Sequence, residues 1–372
     1  MILAETHTFG SQSSAWLSGL RIRKRKPVSP ATMRSYESRV RRVLSIVGPN
    51  TLLDTFGNAS LKVFVTEAAT KSSNKRVVDL VGVIQQILKS ATNESGDEIF
   101  PRKFNLRFAD VPVVDKSKQK TPCFSAAQVE LCIKQSRSEQ EQVLYVLFAA
   151  SGLRISEARS ILVNSTDEKL TTWNESEATI SVCDSMFSNA RMDFLKTKSS
   201  RRTVNLHSRV NQVVTKFAAR AKREPGSYLF QGREGGPLDE NTVRLRLAKR
   251  IAGGAPHAFR RYRITHLRGA RVLEEILRAE VGHGDRTMTD HYSHLADDAQ
   301  ARRPAVEQAG FGFSLEKVGH PAQPKTKPKP IVAKPDKRKE EAQRRSIAAA
   351  TRAEEARRVA LNVPKPVELS PL

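Results

Sequence analysis

Four short motifs carry side chains of the types that hold and attack a phosphate group. Their central residues are Arg154, the pair His257 and Arg260, His283, and Tyr292. A guanidinium forks onto two phosphate oxygens, an imidazole accepts or donates a proton near neutral pH, and a tyrosine hydroxyl is a nucleophile. Together the arginines and histidines favour a site that binds a phosphate group.

The local sequence predicts how these side chains are presented. Gly152 is placed to end an apolar helix and Ser156 to begin the next, which puts Arg154 on a tight turn. Three residues separate His257 from Arg260, so they share one face at a helix N-terminus, where backbone dipoles favour anions.

Each motif alone has an ordinary structural explanation. A surface arginine is usually only solvated, and an isolated tyrosine is most often a packing residue. A free phenol has a pKa of about 10, so attack near neutral pH needs a base or a positive field. The arginines and histidines supply both, and the combination therefore favours catalysis.

The composition indicates which class of partner the protein binds. Lys and Arg number 63 against 39 Asp and Glu, a net charge of +24 in 372 residues, which favours a polyanion. No apolar run approaches the roughly 20 residues that span a bilayer, so we expect no membrane partner and a cytoplasmic location. The three cysteines, Cys123, Cys132 and Cys183, form no C-x-x-C pair. We therefore expect no metal and no cofactor.

The periodicity predicts a small helical domain over residues 1–108. Apolar residues recur at helical spacing over 31–47, interleaved with arginines, and two further helices are predicted at 61–69 and 76–91. Residues 109–122 have the composition of an extended basic linker.

Residues 123–315 are predicted to form a second domain, mainly α with a small antiparallel β-sheet. Alternation predicts one strand at 178–182 and a strand pair within 192–206 around a polar turn. Residues 316–372 form a basic tail rich in Pro and Lys, for which we expect disorder and a conditional helix.

The motifs occur in the order Gly-Leu-Arg-Ile-Ser-Glu, His-x-x-Arg, Gly-His and Thr-x-x-Tyr-x-His. This order resembles the signature of the tyrosine recombinases and phage integrases. That family also places a lysine on a β-hairpin before the His-x-x-Arg motif. Residues 195–204 resemble the hairpin, with Lys196 as the lysine and Lys198 as the alternative if the register shifts by one or two residues.

The resemblance implies a role for each residue. Tyr292 attacks the scissile phosphate, Arg154 and Arg260 hold its non-bridging oxygens, and His283 adds a hydrogen bond. His257 accepts the tyrosine proton. Lys196 protonates the leaving 5′-oxygen. Glu157 positions Arg154 or its helix.

The resemblance also implies a two-domain C-shaped clamp on double-stranded DNA, at the nucleoid. Family members act as homotetramers on two DNA sites and exchange a C-terminal segment, for which residues 299–313 are the candidate. Two alternatives stay open. A type IB topoisomerase shares the chemistry but relaxes supercoils as a monomer, and a non-catalytic DNA-binding relative has no reason to retain the whole set of residues.

Overall fold

Four helices build the first hydrophobic core of the computed structural model, which describes residues 7–115, 122–192, 200–251, 253–282 and 298–321. The helices are α1 (Phe9–Ile22), α2 (Pro30–Val47), α3 (Asn58–Thr70) and α4 (Asn74–Lys89). The three predicted helices are present, and α1 precedes them. Ser29 caps α2 by accepting a hydrogen bond from the Thr32 backbone.

This core extends slightly beyond the predicted boundary at residue 108. Ala109 is completely buried in it, and Val111 packs against it. The division of the chain into domains stays a prediction, but the apolar side chains of residues 9–111 clearly share one core.

A second core surrounds α6 (Glu139–Ser151), in which eleven consecutive residues are buried. A helix buried on all sides must be packed by neighbours all round, and α6 contacts helices on several sides. The other helices of this region are α5 (Ala126–Lys134), α7 (Ile155–Ser160), α8 (Ser208–Arg220), α9 (Glu240–Arg250), α10 (Pro256–Gly269), α11 (Glu274–Val281) and α12 (Ala299–Ala309).

A small sheet lies among these helices in the order β1-β2-β3-β6. The strands are β1 (Leu162–Val163), β2 (Thr172–Asn174), β3 (Thr179–Val182) and β6 (Arg202–Asn205). Strands β2, β3 and β6 pair antiparallel, and β1 joins β2 in parallel. The mainly helical class with a small antiparallel sheet is therefore confirmed.

Of the strand pair expected within residues 192–206, residues 193–199 lie outside the described residues, so the pairing stays a prediction. Strand β5 (Ala190–Met192) pairs with β4 (Ser185–Phe187), whereas β6 pairs with β3. The described strands β5 and β6 thus belong to different sheets. The partner of β6 precedes both β4 and β5 in the chain, and a local alternation pattern does not reveal it.

Helix α12 packs against its own chain. Arg302 makes a buried ion pair with Glu280 of α11, with 3.0 Å between Nε and Oε1. After the helix, Phe311 is buried in the second core, and its carbonyl accepts a hydrogen bond from the Tyr262 hydroxyl at 2.9 Å. The exchange of residues 299–313 between neighbouring chains stays a prediction.

Within the described ranges, no helix is both long and apolar enough to cross a bilayer.

Candidate active site

A sharp turn between α6 and α7 presents Arg154. Gly152 ends α6 in the left-handed region, with φ of 69°, a conformation that glycine adopts without strain. The next helix begins at Ile155 with Arg154 as its N-cap, so Ser156 lies inside α7 and does not cap it. The backbone N–H of Arg154 donates to Glu157 Oε2 at 2.8 Å.

Glu157 is buried between two arginines. Its Oε1 lies 2.6 Å from Arg154 Nη1, and its Oε2 lies 3.0 Å from Arg202 Nη2. Burial alone raises the pKa of this carboxyl, but the charges and hydrogen bonds of Arg202 and Arg154 outweigh it and lower the pKa to about 2. Glu157 is therefore a carboxylate at neutral pH, and the predicted link between Glu157 and Arg154 is present.

Helix α10 brings Arg260 to the same turn. Pro256 occupies its first position, where a missing N–H costs nothing. Arg260 is 1% exposed, and its Nη1 donates to the Gly152 carbonyl at 2.9 Å. Its Nη2 is buried and has no hydrogen-bond partner among the residues that the structure describes.

The surroundings of Arg260 are strongly positive. Burial, followed by the charges of Arg154 and Arg202, lowers the pKa of Arg260 to about 9. The guanidinium stays charged at neutral pH, but it is desolvated and faces like charges. An anion bound here would relieve both costs, because a charge-assisted hydrogen bond would satisfy Nη2.

His257 lies one turn before Arg260 at the exposed edge of this cluster. Desolvation, followed by the charges of Arg261, Arg260 and Arg154, lowers its pKa below 6.5. The imidazole is therefore mostly neutral near pH 7 and is able to accept a proton.

Arg202 belongs to this cluster, and the sequence patterns did not single it out. It lies at the start of β6 with its side chain 4% exposed, and it approaches the turn after α11. A Cβ atom placed on Gly282 would lie 2.9 Å from Arg202 Nη1. Glycine at position 282 thus allows close packing against the guanidinium, directly before His283.

The structure therefore brings Arg154, Glu157, His257 and Arg260 together, and their catalytic roles stay predictions. Lys196 and its alternative Lys198 lie outside the described residues, and so do His283 and Tyr292. Their places in the site remain predictions. The described part of the site is a set of cations around one buried carboxylate, which is suited to binding an anion with several oxygens.

The fold resembles DNA-bound integrases. The Tn1549 transposon integrase in complex with a circular intermediate DNA has a TM-score of 0.56 at 19% identity, over 82% of this chain and 99% of that one. The same integrase in complex with transposon right end DNA has a TM-score of 0.56 at 21% identity, over 81% and 99%. A lambda integrase dimer bound to a COC' core site has a TM-score of 0.54 at 13% identity, over 77% of each chain. These likenesses define the fold class, that of the tyrosine recombinases.

The sequence of the second core resembles a known family. Residues 124–299 match the model of the phage integrase family, and no curated protein matches the chain. This segment contains the whole described cluster as well as residues 196, 283 and 292. Residues 124–299 therefore form a domain of the phage integrase type, which indicates an enzyme that cleaves and rejoins DNA.

Proposed function

We propose that this protein is a site-specific recombinase that cleaves DNA through a 3′-phosphotyrosyl bond to Tyr292. The observation that carries the proposal is the buried Nη2 of Arg260, near the charge of Arg154, which has no hydrogen-bond partner within the described part of the chain. Two arginines that converge in this way form a site for the non-bridging oxygens of a phosphodiester.

The proposed reaction has two transesterification steps. The Tyr292 oxygen attacks phosphorus and loses its proton to His257, while the 5′-oxygen leaves and takes a proton from Lys196, or from Lys198 in the alternative register. His283 donates a hydrogen bond to the phosphate. In the reverse sense, a 5′-hydroxyl from a second DNA strand attacks the phosphotyrosine and displaces Tyr292. The number of phosphoester bonds is unchanged, so the chemistry needs neither ATP nor a metal.

Double-stranded DNA is the proposed partner, in keeping with the net charge of +24. We further propose that two DNA sites are held by a homotetramer at the nucleoid, and that each chain clamps DNA between a domain of residues 1–108 and one of residues 123–315.

The test is a covalent-capture experiment on a library of duplexes. Each duplex carries one 5′-bridging phosphorothiolate flanked by randomised sequence. The 5′-thiol that leaves does not efficiently reattack, so a covalent adduct accumulates and survives denaturation. Amplification of the captured DNA gives the preferred sequence. We expect enrichment by the wild type and none by Tyr292→Phe, and failure of the wild type to capture DNA would refute the proposal.

The same duplexes test the leaving-group lysine. A thiolate leaves without a proton, so Lys196→Ala is expected to cleave the phosphorothiolate but not the matching all-oxygen duplex. Rescue of Lys198→Ala in place of Lys196→Ala would move the role to Lys198.

A further inference from the structure

Arg202 contacts the chain beside three of the predicted catalytic residues. It lies at the start of β6 and is almost completely buried, with 4% of its side chain exposed. Its Nη2 and Nη1 donate to Oε2 and Oε1 of Glu157 at 3.0 and 3.3 Å. This paired contact holds the plane of the Glu157 carboxylate, as a guanidinium fork does.

Glu157 transmits this constraint to Arg154. Its Oε1 accepts from both Arg154 Nη1, at 2.6 Å, and Arg202 Nη1, at 3.3 Å. Two cations therefore share one carboxylate, which leaves Arg154 only partly neutralised. The Arg154 side chain is 30% exposed, so part of its guanidinium stays accessible. Without Arg202, Glu157 would pair with Arg154 alone and would compete with a phosphate for it.

The other donors of Arg202 reach two more segments. Its Nε donates to the Glu280 carbonyl at 2.9 Å, and its Nη1 donates to the Ser200 carbonyl at 2.9 Å. Glu280 lies at the end of α11, three residues before His283. Ser200 directly follows residues 193–199, which contain both candidate lysines. The guanidinium thus links the ends of chain segments that carry Arg154, His283 and the lysine.

We propose that Arg202 is a positioning residue for DNA cleavage, which acts through Glu157 on Arg154 and through α11 on Gly282, the residue before His283. The inference rests on the proposed function. Arg202 does not bind the phosphate itself, since its side chain is buried and its nitrogens Nε, Nη1 and Nη2 all donate within the protein.

The test compares cleavage rates with DNA affinity. Arg202→Met, Glu157→Gln and the double variant are assayed at saturating protein, in single turnover, on a duplex obtained by covalent capture with the wild type. We expect Arg202→Met to slow cleavage by about 10- to 100-fold, while DNA affinity changes less than about twofold, because the coupling of contacting residues has this size. If Arg202 acts through Glu157, the double variant is slowed by clearly less than the product of the two single effects.

A matched control separates positioning from simple stabilisation. Arg250 also pairs with a buried glutamate, Glu141, at 2.7 Å and with similar exposure. Arg250→Met removes the same kind of contact outside the cluster, so its folded fraction is expected to cleave at the wild-type rate. Arg202→Lys keeps the charge but not the fork. Arg202→Lys is therefore expected to fold even if Arg202→Met does not, and to cleave DNA more slowly than the wild type.

The outcomes also separate this inference from the proposed function. The inference would be overturned if folded Arg202→Met cleaved DNA at the wild-type rate. If Arg202→Met is unfolded, the same result with Arg202→Lys would overturn it. So would effects that multiply in the double variant. In each case capture of DNA by the wild type would leave the proposed function intact, whereas failure of the wild type to capture any DNA would refute the function itself.

Discussion

Replacement of Glu157 by glutamine tests the electrostatics of the site through protein stability. The pKa of Glu157 falls from an ordinary 4.5 to about 2 on folding. A lowering of this size corresponds to about 3 kcal/mol of stability at neutral pH. Removal of one partner of a buried ion pair independently predicts a loss of about 3–5 kcal/mol. We therefore expect Glu157→Gln to lower the free energy of unfolding by about 3 kcal/mol near pH 7.

The lowered pKa of Glu157 also predicts how the stability difference changes with pH. A carboxyl whose pKa is lowered by folding stabilises the protein above its unfolded pKa, and this contribution is lost as the pH falls towards the folded value. The difference between wild type and Glu157→Gln is expected to shrink by about 1 kcal/mol between pH 7 and about pH 4, because the unfolded carboxyl then takes up a proton.

Urea unfolding followed by fluorescence measures this difference. The chain has two tryptophans. Trp16 lies in the first core, and Trp173 is completely buried in β2 of the second. In a Trp16→Phe background the signal of Trp173 reports on the second core alone. Glu274→Gln, which loses an exposed pair with Arg268, is the control and is expected to cost less than about 1 kcal/mol. A difference below about 1 kcal/mol for Glu157→Gln, or one independent of pH, would refute the reasoning.

Three further predictions concern cleavage of the captured duplex. Arg260→Lys keeps a charge but cannot both donate to the Gly152 carbonyl and fork onto a phosphate. Single-turnover cleavage is therefore expected to fall at least about 100-fold, with near-normal DNA affinity in a filter-binding assay. A smaller loss of cleavage rate would contradict the proposed phosphate site. Gly282→Ala places a Cβ atom 2.9 Å from Arg202 Nη1 at a φ of 67°. The variant is expected to lose about 1–3 kcal/mol of stability in urea unfolding and to cleave DNA more slowly. Unchanged stability would argue against close packing of Gly282 against Arg202. Cleavage by the wild type is expected to fall as the pH drops below the lowered pKa of His257, since protonation removes the base. A His257→Gln variant that kept the same decline would rule out that base.

Features set by local sequence were predictable. The arginine-rich helix expected at 31–47 is α2, because its apolar period and its Ser-Pro start are local signals. The glycine at 152 ends α6 as expected. The convergence of Arg154 and Arg260 followed from family resemblance, since 106 residues of sequence separate them.

Features set by distant contacts were not predictable from the pattern. The pairing of β6 with β3 depends on which strands are neighbours, and alternation is the same for every partner. Arg202 escaped notice for the same reason. Its basic neighbours resemble a solvated turn in sequence, and only the position of β6 against α7 and α11 buries its guanidinium on Glu157.

The most direct test of the central claim is identification of the residue that carries the DNA. The covalent adduct is digested with nuclease and trypsin, and the peptides are sequenced by mass spectrometry. Trypsin is expected to release residues 287–302, in which Tyr292 is the single tyrosine. The account predicts a nucleotide remnant on Tyr292 in the wild type and no adduct in Tyr292→Phe. A remnant on any other residue, or an adduct that survives the substitution, would contradict it.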